Sequence, residues 1–322
     1  MEKTPDISAS DQGITRRDLV SSAVAATLMA TTLPVILPAE ARAQEASAAP
    51  SSSMVALNKR TPQLWEVTIA NPPFNLVVPQ MVSELHAIVT DVDRDPDVKI
   101  VLFTSGVEDF FINHFDLSKA QEFPIEQTDP PMPTWTDLVL RLSKSPVISI
   151  ASIRGRARGG GNEFAMACDL RYASIEKAFF GQPEVGTGIL PGGGGTERLP
   201  RLVGRDRALE IILSSQDYSA ADAERFGLVT RALPDDELDA FVTALTTRLS
   251  GFDKQSLSGA KAQVNRATLP PDADVLAAYG EYSASLGWPG FAARRPRVGA
   301  LVAEHGLPEF ELRLGHFLGL AN

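Results

Sequence analysis

From residue 54 onward, apolar positions along the chain switch repeatedly between a two-residue and a three-to-four-residue spacing. Leu64-Trp65-Glu66-Val67-Thr68-Ile69 alternates apolar and polar side chains, as a half-buried strand does. Asn71-Pro72-Pro73 ends that strand by forcing a turn. Met81, Val82, Leu85, Ile88, Val89 and Val92 then make one apolar face of a helix over 79–93. Asp95-Pro96-Asp97 breaks the helix, and Ile100-Val101-Leu102-Phe103 reads as a buried strand. The unit repeats with a helix over 134–143, a core strand at Val147-Ile148-Ser149-Ile150-Ala151, and a glycine-rich turn from Arg154 to Gly161 into a helix starting near Asn162. Strand, helix and strand in succession imply right-handed crossovers and a mostly parallel sheet, hence an α/β fold. After Pro191 the signals become largely helical, over 205–214, 219–226, 235–250 and 254–266.

These patterns divide the chain into a core over 54–250 and a helical C-terminal region over 251–322. What precedes residue 54 reads differently. Arg16-Arg17 stands before an apolar, Ala/Ser/Thr-rich stretch reaching Leu37, and Ala41-Arg42-Ala43 supplies small residues where a signal peptidase reads. Residues 1–43 thus resemble a twin-arginine export signal, and 44–53 a flexible lead-in. The signal implies a periplasmic protein, or a cytoplasmic one if it is not used. Pro34 and Pro38 make the stretch a poor membrane span.

Composition narrows the classes further. A net charge of −10 argues against nucleic acid and anionic membranes as partners. A single cysteine, Cys168, excludes an intrachain disulfide, and four histidines without ligand-like spacing point to no metal.

Chemistry concentrates between Gly155 and Leu199. Gly159-Gly160-Gly161 before an apolar helix lets the backbone approach a ligand closely. The helix N-terminus there offers unpaired N–H groups suited to a carbonyl oxygen gaining negative charge. Glu163 falls in the first turn beside them, and Glu184 follows Gly181-Gln182-Pro183. The same residues also fit a plainer reading, in which the glycines permit tight packing and Glu163 merely favours the helix dipole. Spacing alone does not bring the two carboxylates together.

Gly159-Gly160-Gly161-Asn162-Glu163-Phe164-Ala165-Met166-Ala167-Cys168-Asp169, then Phe180-Gly181-Gln182-Pro183-Glu184, then Pro191-Gly192-Gly193-Gly194-Gly195-Thr196-Glu197-Arg198-Leu199 resemble the enoyl-CoA hydratase signature of the crotonase superfamily. Asn71-Pro72-Pro73-Phe74-Asn75 and Ala220 to Val229 fit as well. The resemblance covers roughly residues 60–250 and implies the crotonase fold of repeated ββα units, related to that of Clp-type proteases. A homotrimer or a dimer of trimers is implied too. It further implies a lyase in which Glu163 and Glu184 exchange protons with water and an α,β-unsaturated acyl thioester. Backbone N–H groups of Gly160 and Asn113 would hold the enolate oxygen. Coenzyme A would enter as the substrate's carrier, with no separate cofactor.

Two departures stand out. Phe111-Ile112-Asn113-His114-Phe115-Asp116-Leu117 replaces small family residues with His114 and Phe115, which become candidates for reshaping the substrate pocket. His114 alternatively is a part-buried histidine with a satisfied hydrogen bond. Arg154, Arg156 and Arg158 stand where the family has mostly uncharged residues, and suit either solvent or a phosphate or carboxylate. An export signal fits poorly with a cytoplasmic carrier. An isomerase or C–C hydrolase acting on a non-CoA carbonyl therefore stays open, as does a non-catalytic binding protein on the same fold.

Overall fold

The structure, a computed structural model, describes residues 53–129 and 131–321. The expected export signal and nearly all of the lead-in lie outside the described residues. Strands β1 (Val55–Thr61) and β2 (Leu64–Ile69) form an antiparallel hairpin. Helix α1 (Pro79–Arg94) returns the chain to β3 (Ile100–Ser105), which lies parallel to β2. After β4 (Phe110–Ile112), β5 (Ile125–Glu126), β6 (Met132–Pro133) and α2 (Thr134–Lys144), strand β7 (Ile148–Ile153) pairs parallel with β3. Then come β8 (Arg156–Arg158), α3 (Gly160–Ala167), β9 (Leu170–Ser174), β10 (Phe179–Gly181) and the short α4 (Glu184–Thr187). Helices α5 (Gly195–Val203) and α6 (Arg205–Ser214) precede β11 (Tyr218–Ser219), α7 (Ala220–Phe226) and β12 (Arg231–Leu233). The remainder is helical: α8 (Asp235–Ser250), α9 (Lys254–Thr268), α10 (Asp272–Ser285), α11 (Pro289–His305), α12 (Leu307–Leu312) and α13 (Leu314–Leu320).

The strands fall into two layers. A six-stranded sheet runs β1-β2-β3-β7-β9-β12, parallel from β2 onward, and a four-stranded sheet runs β11-β10-β8-β4. Long β3, β7 and β9 each continue into short β4, β8 and β10, which together build the second sheet. This is the repeated ββα arrangement. The central strands β3 and β7 are covered on both faces and so are buried nearly throughout, whereas β2 alternates and β1 is mostly exposed. Val101 and Phe103 of β3 face a core shared with Met81, Leu85 and Phe164. Ile100 and Leu102 face the other side, against Leu238 and Val242 of α8.

The stretch over Arg154–Gly161, expected as a turn, contains strand β8, and the helix begins at Gly160 rather than near Asn162. Three residues carry no periodicity of their own. β8 exists because it pairs in parallel with β10 and β4 on either side. Helix α3 is buried along its whole length, which explains why its sequence shows no polar face. Among the described residues no helix is long and apolar enough to cross a membrane.

Candidate active site

The three glycines opening α3 are required for different reasons. Gly159 caps the helix at φ 49° and ψ −121°, a conformation open to little else. A Cβ on Gly160 would collide with the Phe115 ring, and one on Gly161 with the Ile112 carbonyl. Close packing of α3 onto β4 and the segment just after it thus accounts for two of them. Main-chain donors are then unevenly used. Gly159 N–H donates to Gly181 O at 3.0 Å and Gly161 N–H to Asn113 O at 3.2 Å. The Gly160 N–H meets no acceptor among the described residues.

Glu163, 2% exposed, projects from the first turn of α3. Its Oε1 accepts from Gly193 N–H at 2.9 Å and Gly195 N–H at 3.0 Å, at the start of α5. Burial pushes its carboxyl up to about 7, against the lowering pull of those two donors. Glu184 opens α4, and its Oε1 lies against Gly159, 2.6 Å from where a Cβ would stand. Burial, and then the Glu163 charge, push Glu184 well above the ordinary carboxylate range. Gln182 links the pair. It is fully buried, donates to Glu184 Oε2 at 3.4 Å, and its amide faces Gly195 beside Glu163 Oε1. Asn162 Nδ2 donates to Gln182 Oε1 at 2.8 Å and fixes the orientation of that amide. The fold therefore carries both carboxylates to one place, within electrostatic reach of each other.

Asn113 does not offer the expected main-chain donor. Its N–H donates to Asn75 O at 3.0 Å, in a short parallel pairing that continues as Val77 N–H to His114 O and Asp116 N–H to Val77 O. In that ladder alternate amides point the other way. Phe115 N–H, which points away from that ladder, has no acceptor among the described residues. The Asn113 side chain instead donates to Glu311 Oε2 at 2.9 Å.

His114 is likewise engaged. Its Nδ1 lies 3.0 Å from Phe115 O and its Nε2 3.1 Å from Glu311 Oε2. Both partners are acceptors, so the ring satisfies both only when doubly protonated. Burial works against that charge, but Glu311 prevails and raises His114. Burial would raise Glu311, yet His114 and Arg158 hold it below its ordinary value. The satisfied-histidine reading describes the ring. Phe115 packs edge-on to Phe123 and Trp135, each at 5.0 Å, and so does fill space beside Gly160.

Residues 59–283 match the family described as Enoyl-CoA hydratase/isomerase. The chain belongs to that family. Over 217 residues it is 35% identical to a Mycobacterium bovis protein bearing an enoyl-CoA hydratase name, covering 66% of this chain and 81% of that one. Over 201 residues it is 33% identical to the short-chain-enoyl-CoA hydratase of Clostridium acetobutylicum, covering 62% and 77%. A crystal structure from Streptomyces avermitilis, of a protein likewise named for enoyl-CoA hydratase, superposes with a TM-score of 0.77 at 38% identity. That superposition covers 85% of this chain and 99% of the other.

The family match ends at residue 283, before Glu311 and Leu312 of α12, which brace the site. Arg158, 1% exposed, forks onto Asp217 at 2.7 and 2.6 Å and donates to Glu311 O. Arg156 donates to Leu312 O at 2.8 Å, and Arg154 to Asp235 and Asp239 at 2.8 Å. Arg154 stays part-exposed in a surface ion pair, whereas carbonyls and carboxylates of the chain itself occupy the covered Arg156 and Arg158. Arg156 and Arg158 bolt α12 to the strand leading into Gly159. Tyr282 of α10 lays its ring on Gly192, and burial above all, then Tyr279 and the two glutamates, raise its hydroxyl. No sequence signal marked Tyr282 or Glu311, since isolated side chains on amphipathic helices carry no motif.

Proposed function

We propose that this protein adds water across the Cα=Cβ bond of an α,β-unsaturated acyl thioester. The observation that carries the reading is a pair of buried glutamates whose carboxyls titrate upward, with the Gly160 and Phe115 amides lacking acceptors among the described residues. Near neutral pH the arrangement supplies one base and one acid, as the reaction needs. Ionised Glu163 takes a proton from water as the water oxygen bonds to Cβ. The π electrons move to Cα and the carbonyl oxygen becomes an enolate, held by the two amides. Protonated Glu184 then gives its proton to Cα and the enolate collapses to the 3-hydroxyacyl product. The family and the names of its relatives support a hydro-lyase of this kind.

Loss of the enoyl chromophore of crotonyl-CoA tests the reading directly. Turnover to 3-hydroxybutyryl-CoA upholds it; a folded protein that leaves crotonyl-CoA unchanged overturns it. Running free crotonate and a pantetheine thioester alongside separates a coenzyme A substrate from another carrier. A product with a shifted double bond and no added water would assign an isomerase instead.

A further inference from the structure

Trp135 lies at the start of α2 and is 5% exposed. Its indole Nε1 is buried and has no hydrogen-bond partner among the described residues. The ring is held by Phe115 at 5.0 Å and 80°, and by Phe164 at 6.1 Å, so its position is set by packing rather than by the N–H. The indole nitrogen nonetheless lies beside Glu163. A Cβ built on Gly193 would touch two atoms first, Glu163 Oε2 and, at 2.6 Å, Trp135 Nε1. Glu163 uses its other oxygen for both main-chain donors. One face of the site therefore presents a carboxylate oxygen and an unpaired donor side by side, without a bond between them.

A buried donor left unpaired is costly, and a ligand is the natural source of its acceptor. An acyl chain offers no acceptor, and an anion there would be repelled by ionised Glu163. A hydroxyl fits both neighbours, because its oxygen accepts from the indole while its proton points to Glu163. We propose that the Trp135 indole N–H is the hydrogen-bond donor to the oxygen added at Cβ, holding the attacking water and the hydroxyl of the product. This rests on the hydratase reading and assigns a catalytic residue to it. Water has two lone pairs. With one engaged by the indole and one proton by Glu163, the other lone pair is left to attack Cβ.

Trp135→Phe keeps the aromatic contacts and removes only the N–H. With crotonyl-CoA, kcat should fall about tenfold while KM changes little, the size expected for one hydrogen bond made to the reacting oxygen. Affinity for 3-hydroxybutyryl-CoA should weaken by a similar factor, and affinity for butyryl-CoA, which lacks the hydroxyl, should not. Equal weakening of both ligands, or none, overturns the assignment while leaving the hydratase reading intact. A wild-type protein that binds and turns over neither thioester sinks that reading, and the assignment with it. Should Trp135→Phe fail to fold, the wild-type indole N–H resonances decide, assigned through Trp65→Phe and Trp288→Phe. The Trp135 signal should move downfield with 3-hydroxybutyryl-CoA and not with butyryl-CoA; identical responses overturn the proposal.

Discussion

The segment over 155–199 and the helices beyond residue 270 meet at one site by opposite means. The first contributes main chain: Gly159 at positive φ, amides of Gly193 and Gly195 on Glu163, and an unengaged amide at Gly160. Its glutamates are positioned by those loops. The second contributes single side chains and carbonyls: the Tyr282 ring on Gly192, Glu311 on Asn113 and His114, and the Glu311 and Leu312 carbonyls on Arg158 and Arg156. The lesson is a division of labour. Backbone geometry sets the chemistry, while the distal helices brace the segments that bear it. Removing a glutamate from the first region should cost activity; breaking a tie between the two regions should cost mainly stability.

The sharpest way to break that contrast is at the glutamates. Glu163→Gln and Glu184→Gln should each lower kcat on crotonyl-CoA by about 10²- to 10⁴-fold, the usual range for acid–base groups. Both should also stabilise the unliganded fold at pH 8. A carboxyl whose pKa is raised by folding contributes stability that is present below its ordinary value and lost as pH rises through the folded value, about 7 for Glu163. Glutamine never ionises, so the gain should appear in denaturant melts at pH 8 and vanish at pH 4. Unchanged turnover would show that these carboxyls are bystanders.

Arg158→Met should cost about 3 kcal/mol of unfolding free energy. That is the low end for breaking a buried pair, because its partner Asp217 keeps part of its hydration. A urea midpoint unchanged by this substitution would remove α12 from the bracing role. Glu311→Gln should cost less, about 1–2 kcal/mol at pH 6, since an amide oxygen still accepts from Asn113 and His114. This loss has a sign in pH. The raised His114 contributes fully below 6.5 and is lost as pH rises through its folded value. The lowered Glu311 contributes fully above 4.5 and is lost as pH falls through its own. The difference between Glu311→Gln and the parent should therefore be largest between those values and shrink at pH 9. An equal difference at pH 6 and pH 9 would mean that His114 is uncharged. Smallest of all, Tyr282→Phe keeps the ring on Gly192 and should change kcat less than about threefold, the size expected of a hydroxyl outside the reacting bonds. A larger fall would move Tyr282 from brace to chemistry.

Long elements were legible because they repeat a period. The helix expected over 79–93 spans Pro79–Arg94, and that over 134–143 spans Thr134–Lys144. Strand β8 was not, because its three residues depend on neighbours far along the chain. The resemblance alone implies Asn113 as a donor. Only the pairing of 113–116 with 75–77 decides which amides point into the site, and it turns Asn113 away and leaves Phe115. The arginines at 154–158 were open to solvent or phosphate on paper, whereas the chain supplies its own acceptors for each.

The sequence by itself determined the α/β class, the family, and the glutamates and glycines on which the proposed chemistry rests. Those features are local, since a glycine's φ, an amide at a helix start and a strand's apolar run depend on adjacent residues. Tertiary structure alone decided that Glu163 and Glu184 share surroundings, that Phe115 rather than Asn113 has a free amide, and that Tyr282, Trp135 and Glu311 belong to the same site. Hydrogen-bond pairing and burial are settled between residues distant in the chain, and spacing along it carries no record of which of them will meet.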